Sequence, residues 1–72
     1  MKLSELGINQ KGVVEKINVQ LDLKNRLLYM GLNKGSEVEL IRYAPCGDPI
    51  QIKIRGFYLA IRKNVAEKII LK

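Results

Sequence analysis

Residues 44–62, with the sequence APCGDPIQIKIRGFYLAIR, decide the fold of this chain of 72 residues. The segment opens with a turn cluster that runs from Pro45 to Pro49. Because a proline disfavours helical geometry at the residue before it, we expect the chain to leave this turn in an extended conformation. Ile50, Ile52 and Ile54 then alternate with polar residues, which predicts a strand with one apolar and one charged face.

The second half of the segment predicts the returning strand of a β-hairpin. Gly56 can supply the positive φ that a tight turn or a bulge needs. The residues beyond it alternate again: Phe57, Leu59 and Ile61 form an apolar face, and Tyr58, Ala60 and Arg62 form the other. We therefore expect Phe57 to lie in the core. The pattern does not decide whether Tyr58 is an ordinary surface residue or part of an interface.

Shorter elements surround this hairpin. Strands are predicted over residues 12–19 and 36–43 and at 69–71, where β-branched and other apolar residues are frequent. Asp22 is the expected N-cap of a helix that carries Leu27 and Met30 on one face and ends at Gly31, the expected left-handed residue. A second, short helix is predicted over residues 63–68, burying Val65 and Ala66, and the N-terminal Leu3 and Leu6 are expected to dock on the sheet.

These elements predict a single domain over residues 1–72 that is mainly β with short helices. The fold class that fits them is a small SH3-like barrel of about five strands, closed on itself. Its core should consist mostly of Val14, Ile17, Leu27, Met30, Val38, Leu40, Ile52, Ile54, Leu59 and Ile61.

The composition limits the classes of function. Thirteen Lys and Arg against seven Asp and Glu give a net charge of +6, and the chain has no His and one Cys. This charge would suit an anionic partner, but it is more simply explained by solubility, because a charge of this size keeps a small domain dispersed. Because the commonest general base is missing and no phosphate-binding loop is present, we predict no enzymatic activity and no cofactor.

Four segments together resemble the FeoA family. They are LLYMGLNKG (27–35), GDPI (47–50), LAIR (59–62) and VAEKI (65–69), and the resemblance extends over nearly the whole chain. Members often carry proline where this chain has Lys34, and a residue other than cysteine where it has Cys46. The same module forms the C-terminal domain of some iron-dependent repressors and of some larger permeases.

The resemblance implies a small cytoplasmic protein of ferrous iron uptake. Its partner would be the cytoplasmic domain of the ferrous iron permease FeoB, which carries a GTP-binding domain. The chain would then be peripheral to the membrane through that partner, and a homo-oligomer is left open. No apolar run approaches the roughly 20 residues that span a bilayer, and no signal peptide is evident, which also favours the cytoplasm.

Direct metal binding has only weak candidate ligands. Cys46 and Asp48 lie two residues apart in the turn cluster, and Glu37 and Glu39 lie two residues apart on one strand face. A competent site needs three or four ligands, so each pair is more simply explained as a solvated turn or a solvated strand face.

Two kinds of macromolecular partner remain. A nucleic-acid-binding or repressor-type SH3-like barrel is the alternative function, but four aromatic residues without Trp make a poor stacking surface, so no nucleic acid is expected. A protein partner is favoured instead. The surface expected to bind it consists of Asp48, Arg55, Tyr58 and Arg62.

Overall fold

The computed structural model describes residues 1–72. The five strands are β1 (Lys11–Ile17), β2 (Glu37–Tyr43), β3 (Ile50–Ile54), β4 (Phe57–Ile61) and β5 (Ile69–Leu71). The helices are a 3-10 turn (Leu3–Glu5), α1 (Leu21–Tyr29) and α2 (Lys63–Ala66). None of the helices combines the length and the apolar character needed to cross a bilayer. The five strands and three short helices confirm the predicted fold, which is mainly β with short helices.

The strands form one antiparallel sheet in the order β4-β3-β2-β1-β5. β4 and β5 lie at opposite ends of this order, so the expectation of a fully closed barrel was wrong. The N-terminal residues cover the outer side of β5, where Lys2 pairs with Ile70. The N-terminus thus pairs with one edge of the sheet, whereas no segment of the chain pairs with the outer side of β4. We call β4 the uncovered edge.

One apolar core holds the sheet and the N-terminal segment together. It contains fifteen buried residues, among them Leu3 and Leu6, as expected. Eight of the ten predicted core residues are buried, and Leu59 is partly buried against them. The exception is Met30, which is exposed because it lies at the C-cap of α1, beyond the last residue that faces the sheet.

The ends of α1 differ in how well the sequence predicts them. The helix begins at Leu21 with Gln20 as N-cap and no side-chain cap bond, so the prediction of Asp22 as N-cap was wrong. Asp22 lies in the first turn, where its negative charge still interacts favourably with the helix dipole. At the other end the prediction is confirmed: Gly31 has a φ of 93°, and the buried Leu32 donates its N–H to the carbonyl of Leu27 at 2.8 Å. This is the Schellman arrangement.

A two-residue turn joins β3 to β4. Arg55 and Gly56 both have positive φ, 50° and 84°, as a type I′ turn requires. Ile54 and Phe57 flank the turn and lie opposite each other. The turn thus fixes the register of the whole hairpin, and it removes Arg55 from the strand face on which Lys53 lies.

The turn cluster before β3 is tied to α2. The backbone N–H of Lys63, at the start of α2, donates to Oδ1 of Asp48 at 2.9 Å. The peptide bond between Asp48 and Pro49 is cis, and the N–H of Ala44 donates to the carbonyl of Pro49. Asp48 therefore connects two segments that are fifteen residues apart in the chain.

The core makes a direct prediction about stability. Ile52 is fully buried in the middle of β3, so replacing it with Ala should lower the free energy of unfolding by about 2–5 kcal/mol. Leu21→Ala, at an exposed position of α1, is the matched control and should change it by less than about 0.5 kcal/mol. Urea unfolding followed by circular dichroism measures both values. Equal losses in the two variants would contradict the position of the core.

Candidate functional site

A group of apolar side chains is exposed to solvent at the uncovered edge of the sheet. Tyr29 is 93% exposed, Phe57 72%, Tyr58 60% and Met30 45%, and with Leu59 they line a shallow depression of about 300 Å³. We call these five residues the β4 edge cluster. Single exposed apolar residues are ordinary on a protein surface, whereas a contiguous exposed group makes this edge the candidate interaction site.

The exposure of Phe57 contradicts the expectation that it lies in the core. Phe57 does share the apolar face of β4 with Leu59 and Ile61, but burial increases along that face from Phe57 to the buried Ile61. β4 has a neighbouring strand on one side only, so nothing in the sheet covers the end of the hairpin. The apolar pattern was interpreted correctly, but only one side of the last residue pair is covered: Ile54 is buried, whereas Phe57 opposite it is exposed.

The other members of the cluster come from α1. The sequence LLYM at 27–30 places four apolar residues in a row on a helix, and only about a third of a helix surface can face a core. Leu27 takes the buried position, which leaves Tyr29 and Met30 outside. This run of apolar residues was the signal that could have identified the exposed patch from the sequence.

The β4 edge cluster lies among basic residues. The Nζ atom of Lys53 lies 5.8 Å from the centroid of the Tyr58 ring, within range of a cation–π interaction. Arg55 occupies the adjoining turn, and Arg62 and Lys63 follow directly after β4. The carboxylate of Asp48 accepts the hydrogen bond from the backbone N–H of Lys63, and Glu37 and Glu39 line one depression with Lys53 and Arg55. The four bases outnumber these three carboxylates, so the edge keeps a net positive charge toward an approaching partner.

The four residues predicted to bind a partner occupy different elements. Tyr58 lies exposed in the middle part of β4, Arg55 lies in the β3–β4 turn, and Arg62 is the N-cap residue of α2. Asp48 supports the start of α2 through its hydrogen bond. Tyr29, Met30 and Phe57 were missing from the predicted surface.

The weak candidate ligands for a metal do not form a cluster. No group of three or more His, Cys, Asp or Glu side chains comes together anywhere in the chain. Glu39 lies opposite Lys11 on β1 and Lys53 on β3, and both lysines line the same small depression as Glu37 and Glu39. Neighbouring ammonium groups compete with a cation for these carboxylates. Cys46 is exposed in the turn cluster, and the carboxylate of Asp48 is engaged by α2.

A third depression is basic. It has a volume of about 630 Å³ and lies between β1, α1 and the loop after α1. Its lining includes Lys16, Lys24 and Lys34 beside a single acidic residue, Glu15. Because the lysines come from three separate parts of the sequence, their proximity is a product of the fold, and the sequence did not predict it.

The family model described as the FeoA domain matches residues 1–72. The solution structure of the FeoA protein from Chlorobium tepidum is 37% identical, covers 99% of this chain and 68% of its own, and superposes with a TM-score of 0.95. A crystal structure of FeoA from Stenotrophomonas maltophilia complexed with zinc is 28% identical, with a TM-score of 0.84 over 100% of this chain and 89% of its own. That protein is described as a prokaryotic SH3 domain protein, in agreement with the predicted SH3-like fold.

One relative is much longer than this chain. It is a fusion of Fe(2+) transport protein A and the Fe(2+) transporter FeoB from Porphyromonas gingivalis, 29% identical over 69 residues. The match covers 96% of this chain but only 8% of the fusion protein.

The β4 edge cluster predicts how stability responds to substitution of Phe57. Because its ring is mostly exposed, Phe57→Ala should lower the free energy of unfolding by less than about 1 kcal/mol. A phenylalanine in the core would cost about 3–5 kcal/mol. Ile61→Ala, on the same face of the same strand but buried, is the control and should cost about 2–5 kcal/mol. Chemical unfolding of both variants tests the exposure of the cluster.

The arrangement of the carboxylates predicts weak metal binding. Since no three ligands converge, the isolated chain should bind ferrous iron with a dissociation constant above about 1 μM. This value corresponds to a binding free energy less favourable than roughly −8 kcal/mol. Anaerobic calorimetry with the metal alone measures this constant. A tighter one-to-one complex would show that the chain contains a metal site.

Proposed function

This chain belongs to the FeoA domain family, and we propose that it is a non-catalytic accessory protein of ferrous iron uptake that binds the cytoplasmic domain of FeoB. The observation that supports this most directly is the P. gingivalis fusion, in which a relative of this chain is part of the same polypeptide as the transporter. Covalent linkage makes association between two parts intramolecular and raises their effective concentration. Where the two are separate chains, a binding surface has to replace the linkage.

The β4 edge cluster is the surface best suited to this role. Aromatic residues and arginine are enriched at interfaces, where they dominate the cost of truncation. Here Tyr58 and Phe57 lie beside Arg55 and Lys53 on an edge that nothing else covers. The interaction would be steered by the positive charge around the cluster toward an acidic surface of the permease.

The predicted partner-binding residues take distinct roles in this proposal. Tyr58 is an anchor in the β4 edge cluster, and Arg55 and Arg62 supply charge at either end of β4. Asp48 acts indirectly by holding the start of α2, and with it Arg62, in place. The chain would work at the cytoplasmic face of the membrane, peripheral to it through the permease.

The interpretation as a repressor has less support in the geometry. A helix that reads DNA presents polar side chains to the major groove. The nine residues of α1 instead bury Leu27 and expose the apolar residues Leu28 and Tyr29. Such a face suits a protein partner better than the edges of base pairs.

Binding to the purified cytoplasmic domain of the permease tests the proposal. Tyr58→Ala should weaken binding by about 1–2 kcal/mol. Arg62→Glu should also weaken binding, and its effect should be larger at low salt than at high salt because salt screens surface charges. Leu21→Ala and Lys24→Glu, an exposed apolar residue and an exposed base on α1, are the matched controls and should bind as the parent chain does. Calorimetry or a pull-down gives the affinities, with circular dichroism to establish that each variant is folded.

Two results would contradict the proposal at different levels. If the parent chain does not bind the permease domain, the assigned partner is wrong. If it binds and both Tyr58→Ala and Arg62→Glu stay folded and bind equally well, the interface lies elsewhere on the chain.

A further inference from the structure

The two edges of the sheet end differently. At β5, the N-terminal amine and the carbonyl of Met1 exchange hydrogen bonds with the carbonyl and the N–H of Leu71, and Lys2 pairs with Ile70. That edge is therefore occupied by the chain itself. At β4, the paired neighbour is β3 alone, and no other segment pairs with the outer side. An edge strand with unpaired N–H and C=O groups is a template for another strand.

The turn decides which backbone groups of β4 are free. A β-turn pairs its first residue with its fourth, so Ile54 and Phe57 exchange hydrogen bonds across Arg55 and Gly56. Hydrogen-bonded and non-bonded pairs then alternate along an antiparallel ladder. The backbone groups of Tyr58 and Ala60 consequently point away from β3, toward solvent.

The side chains at this edge divide into two faces of different character. On one face lie Phe57 and Leu59, continued by Tyr29 and Met30 at the end of α1. On the other face lie Tyr58 and Ala60, opposite Lys53 and Gln51 of β3, so this face carries polar and cationic groups and a small residue. A strand added to β4 would turn alternate side chains to each face.

From these three observations we infer that β4 accepts an extended segment of a partner protein as a sixth strand, and that this segment alternates apolar with acidic residues. Its apolar side chains contact Phe57, Leu59 and Met30, and its acidic side chains lie near Lys53 and Arg62. The five residues of β4 give a length of about 17 Å for the pairing. The identity of the partner as the permease rests on the proposed function, whereas the mode of binding rests on β4 alone.

Charge selects such a segment over a second copy of this chain. Antiparallel pairing of β4 with another β4 would bring Arg62 of one chain close to Arg55 of the other, because these two residues lie at opposite ends of β4. The net charge of +6 opposes this approach further. Like charges placed opposite each other destabilise paired strands.

Two substitutions of one residue test the backbone pairing. Ala60→Pro removes an outward N–H at a position where proline is tolerated on an edge strand, and Ala60→Val keeps that N–H and changes only the side chain. Measured with the permease domain, Ala60→Pro should lose affinity by at least about tenfold while Ala60→Val stays within about threefold of the parent chain. Equal affinities of two folded variants would overturn the inference.

A measurement on the unsubstituted chain covers the case in which Ala60→Pro fails to fold. Two synthetic ten-residue peptides serve as probes, one alternating Val with Glu and the other alternating Val with Lys. Chemical-shift mapping should place the acidic peptide on β4, bound at least about tenfold more tightly than the basic one. Equal binding of the two peptides, shifts located away from β4, or dimers of the chain formed through β4 would each overturn the inference.

The outcomes also separate this inference from the proposed function. Binding of the acidic peptide on β4 without binding of the permease domain would retain the strand addition and remove the assigned partner. Binding of the permease domain that is equally strong for Ala60→Pro and Ala60→Val would retain the partner and remove the strand addition.

Discussion

Three isoleucines on one face of β3, at positions 50, 52 and 54, are the contact on which the remainder of the structure depends. All three are buried, and each lies opposite one residue of β2 and one of β4. β3 thus connects the edge strand β4 to β2 in the middle of the sheet. The I′ turn at Arg55 and Gly56 fixes the pairing of β3 with β4. If these side chains were shortened, β4 would lose the apolar surface on which it packs.

The small size of the core explains why the candidate site exists. A chain of 72 residues buries only about 60% of the surface that it exposes when unfolded, so it cannot cover every apolar residue that its strands present. The N-terminus covers the β5 edge, and no segment within residues 1–72 pairs with the outer side of β4. The apolar residues at the end of α1 and at the start of β4 remain exposed for the same reason. A partner that binds there would complete a core that the chain leaves open.

The sequence predicted those features that depend on local pattern. The period of two identified β2, β3 and β4, and the glycine at position 31 identified the end of α1, because both signals are contained in a few adjacent residues. Phe57, Met30 and the N-cap of α1 were predicted wrongly. Whether an apolar position is buried depends on what lies over it, and this is decided by the strand order. The β4 edge cluster could be predicted only in part: Tyr58 was identified as a candidate, whereas its proximity to Tyr29 depends on contacts between residues far apart in sequence.

Amide hydrogen exchange of Tyr58 and Ala60, in the free chain and in complex with the permease domain, tests the central claim most directly. The claim is that β4 is an open edge that a partner completes. In the free chain these two amides should exchange far faster than the amide of Leu71, whose N–H is bonded to Met1. In the complex they should become protected. Protection of both amides in the free chain, or exchange that is unchanged in a complex shown to form, would contradict the account.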